Sequence, residues 1–203
     1  MNENDLRVIK TKECINEALL NCLSVYPFEK ITVNMITSMA RINRSTFYKY
    51  YLDKYDLLDK YLALSLEEFR LNMNAEFMNA DINEIKNFIY SNNFKNIIKF
   101  FNSRSNTYEI LWESVMERNI FDEMLNIIQE NMLEVIKNDI EGSKDKYNIA
   151  VLYCKLFSSN LMITIKWWLK EGKDMTVEEI CKITDLNMQN GVFHTFRKLM
   201  ESN

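Results

Sequence analysis

Residues 32–51, TVNMITSMARINRSTFYKYY, decide the fold, because their pattern predicts two short helices, each with its own N-cap. Thr32 precedes Val33, Ile36 and Ala40, and this spacing of three then four residues defines one face of a helix. The Thr32 hydroxyl can cap the first free N–H groups of that helix. We therefore expect a first helix of about two turns beginning at Thr32.

The second short helix begins near Asn43, which offers another N-cap. Phe47 and Tyr51 form an i, i+4 apolar pair on it. With Phe47 pointing inward and about 100° between successive residues, the outward side is polar. It carries hydroxyls, a phenol and an ammonium, from Ser45, Thr46, Tyr48 and Lys49.

This outward face suits the major groove of DNA. Hydroxyls and Tyr48 can donate to phosphates or base edges, Lys49 supplies charge, and Arg44 can reach guanine or phosphate. Two short helices joined in this way have the geometry of a helix-turn-helix. An αα-hairpin with a merely polar face has the same spacing, and the spacing alone leaves both open.

The same residues resemble the DNA-binding domain of the TetR/AcrR family of bacterial transcriptional regulators. The resemblance is carried by ITV at 31–33, INRSTFYKYY at 42–51 and KYDLL at 54–58. It implies base contacts from Arg44, Ser45, Tyr48 and Lys49. It implies phosphate contacts from Thr32, Thr46, Tyr50 and Lys54.

Position 41 departs from the family pattern, since members usually carry Gly in this turn and this chain has Arg41. If the turn needs a positive φ, Arg costs roughly 1 kcal/mol more than Gly. Either the turn is adjusted here or Arg41 also touches DNA, and both alternatives stay open.

The composition favours an all-α globular protein. The chain has 203 residues, of which 47% are hydrophobic and 12% aromatic, enough for a packed core in one large or two small domains. Three Gly and one Pro leave little of the chemistry that tight β-turns need. No run approaches 18 apolar residues and no signal sequence is visible, so we expect no membrane span and a cytoplasmic protein.

Cysteine and histidine usage argues against a metal site, a disulfide framework or an enzyme. The chain contains no C-x-x-C pair and a single histidine, His194. Its four cysteines are Cys14, Cys22, Cys154 and Cys181. Reduced, packed thiols are expected, and nothing in the spacing favours a redox switch. His194 has no recognisable catalytic partner and no phosphate-binding loop is present, so we expect neither catalysis nor a cofactor.

The charge distribution is uneven. Residues 30–54 contain five basic residues and one acidic residue, a balance of +4 inside a chain of −4, which leaves −8 for the rest. A cationic patch on an acidic body is typical of a module that grips a short length of DNA. A merely solvated basic face is the alternative.

The predicted domains are a three-helix helix-turn-helix DNA-binding domain at residues 1–52 and a helical ligand-binding and dimerisation domain at residues 53–203. A first helix ends before Pro27, and a long helix from Asp53 or Lys54 joins the two domains without a flexible linker. Such a helix can carry displacement from one domain to the other.

The middle of the chain is rich in large apolar side chains. Helices are predicted over residues 81–106, with a possible break at Asn92-Asn93, over 107–116 and over 119–140. A cavity lined by Met and aromatic side chains would bind a lipophilic or aromatic molecule without reacting with it, and a solid core is the alternative. The family resemblance implies an inducer cavity here, with the candidate residues Phe69, Met73, Phe101, Tyr108, Trp112, Met116, Phe121 and Met124.

Residues 147–170 predict a helix with two apolar faces. One face is Val151, Cys154, Ser158, Leu161, Ile165 and Trp168, and the other is Leu152, Leu156, Ile163 and Trp167. One face can pack within the chain, and the other then needs a partner chain. A last helix opens with a capping box, Thr176-x-x-Glu179, and Gly191 either caps it or permits close approach of a partner.

These two C-terminal helices resemble the dimerisation helices of the same family. The interface residues that we predict are Val151, Cys154, Ser158, Leu161, Ile165, Trp168, Val177, Ile180, Thr184 and Met188. Two chains would contribute two helices each, and the dimer would read palindromic half-sites about 34–36 Å apart.

The sequence therefore predicts a homodimeric DNA-binding regulator, most simply a repressor released from its operator by a small apolar or aromatic ligand through a population shift. The alternative is a regulator with a filled core that is controlled by a protein partner or acts constitutively.

Overall fold

The computed structural model describes residues 6–73 and 89–191, and over those residues the chain is helical with no strand. The elements in chain order are α1 (Leu6–Leu23), a 3-10 turn (Phe28–Lys30), α2 (Val33–Met39), α3 (Arg44–Phe47), α4 (Lys54–Asn72), α5 (Ile89–Ser103), α6 (Ser105–Glu113), α7 (Ile120–Val135), α8 (Lys137–Ile140), α9 (Lys144–Lys170) and α10 (Val177–Asn190). The predicted all-α class is confirmed.

The chain forms two compact units. Unit 1 is Met1–Glu68 with Asn106–Phe121, and unit 2 is Phe69–Ser105 with Asp122–Asn203. The possible starts of the first helix at Asn4 or Asp5, and the predicted helix start at residue 81, lie outside the described residues.

Unit 1 is built around α1, whose buried side chains recur with helical spacing and pack on α2. The chain leaves α1 at Leu23, before Pro27, as predicted. The core of the unit includes side chains less than 2% exposed, namely Ile15, Leu19, Ile31, Ile36, Phe47, Leu57, Leu62 and Tyr108. Burying these apolar surfaces holds the two short helices, which are too short to be stable alone.

Side-chain caps mark the starts of α2 and α4, but not that of α3. The Thr32 hydroxyl accepts the Met35 backbone N–H at 3.2 Å, which confirms the first predicted cap. Asn43 occupies the N-cap position of α3, but its side chain makes no capping hydrogen bond, so that part of the prediction is wrong. Asp53 caps α4 by accepting the N–H groups of Tyr55 and Asp56, each at 2.9 Å.

Unit 2 packs α10 against α5, with α9 alongside both. Asn92 and Asn93 lie inside α5 and do not break it, because helical hydrogen bonding continues through them. The Gln129 amide donates to the Ser158 hydroxyl at 3.1 Å and so joins α7 to α9. The largest fully buried side chains of this unit include Phe69, Ile98 and Phe101.

Capping also sets the ends of α10. Thr176 and Glu179 form the predicted capping box, with the Glu179 carboxylate accepting the Thr176 N–H at 2.7 Å. These hydrogen bonds lower the pKa of Glu179. Gly191 follows α10 with φ +77°, and a Cβ there would meet nothing within 4 Å. Of the two roles predicted for Gly191, the cap is the one that this geometry supports.

One described helix, α9, is long and apolar enough by length and composition to cross a membrane, with a mean hydropathy of 1.3 over its most apolar window. The sequence predicts no membrane span because no unbroken run approaches 18 apolar residues. Lys155 and Lys166 interrupt the apolar residues of α9, so this helix contains no such run. A core helix of a globular protein passes the same test, and Cys154, Leu161 and Ile165 of α9 are fully buried within the chain.

Candidate nucleic-acid interface

The candidate interface is centred on α3, which two aromatic side chains anchor to unit 1. Phe47 is fully buried and Tyr51 is 6% exposed, with their ring centroids 5.5 Å apart. Helical hydrogen bonds continue to Tyr51, whose N–H donates to the Phe47 carbonyl at 3.1 Å. The predicted i, i+4 pair is confirmed, and it fixes which side of α3 points outward.

The outward side carries the residues that the sequence predicts for DNA contact. Arg44, Ser45, Tyr48 and Lys49 are exposed, whereas Thr46 and Tyr50 are half-buried. The Arg44 guanidinium donates to the Tyr48 hydroxyl at 3.3 Å and lies 5.8 Å from the centre of the Tyr48 ring. This contact places the two side chains together on one exposed face.

Thr32 lies at the exposed start of α2. Its oxygen accepts the Met35 N–H, which uses a lone pair and leaves the hydroxyl hydrogen free to donate. Thr32 can therefore cap its helix and donate to a phosphate at the same time.

Lys54 has a role that the sequence does not reveal. Its ammonium donates to the Phe28 and Glu29 carbonyl oxygens, each at 3.0 Å. It also lies 4.7 Å from the centre of the Phe28 ring and 5.0 Å from that of Tyr55. Two of its three N–H donors are thus used within the protein, and the third is left for the phosphate contact implied by the family resemblance. Because the partners lie 25 and 26 residues upstream, no local pattern signals this role.

The turn between α2 and α3 places Arg41 in the left-handed region, with φ +55°. The Ile42 N–H donates to the Thr37 carbonyl at 3.0 Å and the Arg41 N–H donates to the Ser38 carbonyl at 3.2 Å. This is the Schellman pattern, in which glycine normally occupies the Arg41 position. The turn therefore keeps the geometry that favours glycine, and Arg41 bears a cost of about 1 kcal/mol.

The predicted ligand-binding residues divide equally between the two units. In unit 1, Tyr108 packs on Trp112 and Trp112 on Phe121, with centroid distances of 5.6 and 5.5 Å, and Met116 belongs to the same unit. In unit 2, Phe69 packs on Phe101 at 5.7 Å, and Met73 and Met124 are buried. An open groove lies elsewhere, along residues 137–147, and none of the eight candidates lines it.

The two apolar faces of α9 have opposite environments. Cys154, Ser158, Leu161, Ile165 and Trp168, all predicted as interface residues, are buried within the chain, and Val151 is half-buried. On α10, Ile180 and Thr184 are also buried and Val177 is half-buried, while the Met188 side chain lies outside the described residues. Seven of the ten predicted interface side chains are thus already covered by their own chain, and the dimer interface stays a prediction.

The exposed face of α9 is a stripe that we call the outer stripe. It consists of Ile149, Leu152, Tyr153, Leu156, Ile163 and Trp167, which are 43–64% exposed. At about 100° per residue they fall within one side of the helix, opposite Ser158. It contains the whole second face predicted from the sequence.

Three of the four cysteines are packed as predicted, and Cys14 is the exception because it is exposed. Burial raises the pKa of the Cys22, Cys154 and Cys181 thiols, which keeps them protonated and unreactive. Among the described residues, no group of three His, Cys, Asp or Glu side chains is arranged to hold a metal ion.

Comparison with known proteins gives matches in structure only. No family model matches the chain, and no curated protein matches it in sequence. A TetR transcriptional regulator from Streptococcus agalactiae 2603V is 20% identical with a TM-score of 0.56, covering 89% of this chain and 94% of that one. The regulator FadR from Bacillus subtilis, in complex with stearoyl-CoA, is 15% identical with a TM-score of 0.59, covering 89% and 98%.

The chain has the fold of the TetR-like transcriptional regulators. A further match, the dihydroxyacetone kinase operon activator DhaS, is 16% identical with a TM-score of 0.51 and covers 95% of this chain and 96% of that one. The TetR-like fold confirms the predicted architecture, an N-terminal helix-turn-helix followed by a C-terminal helical domain. The three matched structures are each named as a regulator or an activator of an operon.

Proposed function

We propose that this protein is a cytoplasmic, homodimeric regulator of transcription that binds a palindromic DNA operator through residues 1–52. The observation that carries the proposal is the exposed face of α3. Arg44, Ser45, Tyr48 and Lys49 face solvent in a segment with a charge balance of +4, while Phe47 anchors the helix from behind. This combination of an anchored helix and a local cationic face is what major-groove recognition requires.

Within this proposal the side chains divide by role. Arg44, Ser45, Tyr48 and Lys49 read base edges, because they are the exposed donors on α3 and on the turn that directly follows it. Phosphate contacts come from the donors around them, namely Thr32, Thr46, Tyr50 and the remaining N–H of Lys54. Phosphate contacts fix the register of the helix on the duplex, and base contacts give specificity.

The outer stripe of α9 supports the homodimer. Six large apolar side chains on one side of a 27-residue helix expose more apolar surface than monomers usually do. A second copy would cover it by packing α9, and α10 beside it, into a four-helix interface related by a twofold axis. The same twofold axis would present two copies of α3 to successive half-sites.

The second domain, residues 53–203, is the proposed site of ligand control. A small apolar or aromatic ligand would release the protein from its operator by favouring a conformation whose half-site spacing does not fit. The stearoyl-CoA held by the structurally similar FadR makes a long acyl chain one class of ligand to test. A protein with a filled core, controlled by a protein partner or constitutively active, is the second candidate, because Phe69, Phe101 and Tyr108 are fully buried by the rest of the chain.

The test of DNA binding uses the segment immediately upstream of the protein's own gene, titrated at two salt concentrations with a competitor duplex. We expect nanomolar, competitor-resistant binding that Tyr48→Ala or Lys49→Ala weakens at least tenfold, a loss of about 1.4 kcal/mol. Lys146→Ala, which removes an exposed charge from α9, is the matched control and should bind like the wild type. Weak binding that is equal for any duplex and for every variant would overturn the proposal.

Ligand control has a separate test. Thermal unfolding is measured with a long-chain acyl-CoA, a free fatty acid and a small aromatic compound. A ligand at 100 times its Kd should stabilise the protein by about 2.7 kcal/mol and release it from DNA. No stabilisation by any of the three classes would favour the filled-core alternative.

A further inference from the structure

We infer that the side chain of Arg41, in the turn that leads into α3, contacts the DNA backbone. Arginine is found at this position, despite its unfavourable left-handed backbone conformation, because its guanidinium makes that contact. This inference rests on the proposed DNA binding and adds a contact that the recognition face does not include. The group that the Arg41 guanidinium would bind is one phosphate of the DNA duplex.

The backbone at Arg41 argues against a purely structural role. The two hydrogen bonds of the turn, from the N–H groups of Arg41 and Ile42, require a left-handed residue and are made by main-chain atoms alone. Glycine would make both without steric cost, since it has no Cβ. Nothing in the turn itself therefore favours arginine at this position.

The side chain of Arg41 does not offset the strain by packing. It is exposed, and its guanidinium has no hydrogen-bond or ion-pair partner among the residues that the structure describes. Arg44, three residues later, differs because its guanidinium already donates to Tyr48. The Arg41 guanidinium thus remains free to bind something outside the chain.

The location of Arg41 indicates what that partner is. It lies between α2, which begins at the exposed Thr32 cap, and α3, which begins at Arg44, in the segment with a charge balance of +4. A residue in this turn lies beside the recognition helix, where the rim of the groove carries phosphates. The planar guanidinium donates two parallel hydrogen bonds to a phosphate, which a lysine ammonium does not match.

The experiment compares wild type, Arg41→Gly, Arg41→Asn and Arg41→Lys on the same operator duplex over a range of salt concentrations. Arg41→Gly should raise the thermal midpoint, because it relieves the left-handed strain, and should weaken operator binding about tenfold. The slope of log K against log salt should fall in magnitude by about 0.9, the value for one phosphate contact. Arg41→Asn, which also tolerates a positive φ, should show the same loss of affinity.

The remaining variants separate charge from strain. Arg41→Lys should keep the salt slope, lose part of the affinity and gain no thermal stability. Lys146→Ala removes one charge from α9 and should leave the slope unchanged. If wild type binds its operator specifically and Arg41→Gly binds equally well with the same slope, the Arg41 contact is wrong and DNA binding stands. Absence of specific binding by the wild type would overturn both.

Discussion

The ammonium of Lys54 donates to the carbonyl oxygen of Phe28 at 3.0 Å, across 26 residues of sequence. A second hydrogen bond reaches the Glu29 carbonyl, and the Phe28 N–H donates to the Val115 carbonyl at 3.1 Å. Lys54 therefore fastens the start of α4 to the 3-10 turn before the helix-turn-helix. Lys54, for which a DNA phosphate contact is expected, therefore also stabilises the packing of unit 1.

We predict that Lys54→Met destabilises the protein by about 1–2 kcal/mol. Methionine keeps the apolar stem over Phe28 but leaves two carbonyl oxygens without their charged donor. Denaturant unfolding measures the change. Lys49→Met, at an exposed position in the turn after α3, is the control and should stay within about 0.5 kcal/mol of wild type. Equal stabilities for Lys54→Met and wild type would show that the ammonium has no structural role.

The second prediction concerns Asp185, whose pKa is raised by burial and whose Oδ1 has no hydrogen-bond partner among the residues that the structure describes. The folded protein holds this proton more tightly than the unfolded chain, so stability is lost as the pH rises from 3.8 through the raised pKa. We expect Asp185→Asn to be more stable than wild type at neutral pH, with the difference closing as the pH falls to 3.8.

Denaturant unfolding of both proteins at several pH values checks this, because the titrations of all other groups are common to the two and cancel. A difference that is constant with pH would show that Asp185 titrates alike in the folded and unfolded states.

Gly172 is predicted to tolerate no larger side chain. A Cβ there would lie 2.7 Å from Cζ3 of Trp167 and 3.2 Å from the Trp168 Cα. Gly172→Ala should therefore displace the Trp167 ring and destabilise the protein by about 1–3 kcal/mol. Denaturant unfolding and tryptophan fluorescence record the two effects.

Gly142→Ala separates crowding from backbone strain. Gly142 has φ +75° and nothing within 4 Å of a Cβ, so alanine there should cost only about 1 kcal/mol and leave the tryptophan spectrum unchanged. An unaltered spectrum for Gly172→Ala would mean that Trp167 does not contact Gly172 in solution.

The fourth prediction tests the outer stripe as the dimer surface. Leu156 lies in the middle of the stripe and is 56% exposed. Leu156→Glu should convert the dimer to monomer at micromolar concentration, because two like charges would meet in an apolar interface. Light scattering during size-exclusion chromatography measures the mass. Lys155→Glu, at the neighbouring exposed position beside the stripe, should remain dimeric, and dimeric Leu156→Glu would exclude this surface.

Local signals in the sequence were enough to predict much of unit 1. The Thr32 cap and the Phe47–Tyr51 pair depend on side chains within four residues of each other, as does the Thr176–Glu179 capping box in unit 2. At such separations the geometry of the helix itself fixes which atoms meet. The missing Asn43 cap marks the limit of this reasoning, since a capping residue does not always turn its side chain toward the helix.

The sequence by itself determined the helices, their caps and the existence of two apolar faces on α9, because these follow from periodicity along the chain. Only the tertiary structure decided that the Ser158 face is inside and the Leu156 face outside, since either would satisfy the same periodicity. It also decided the left-handed backbone of Arg41 and the carbonyl partners of Lys54. Both depend on how distant segments pack, and that packing leaves no repeat in the sequence for a local pattern to reveal.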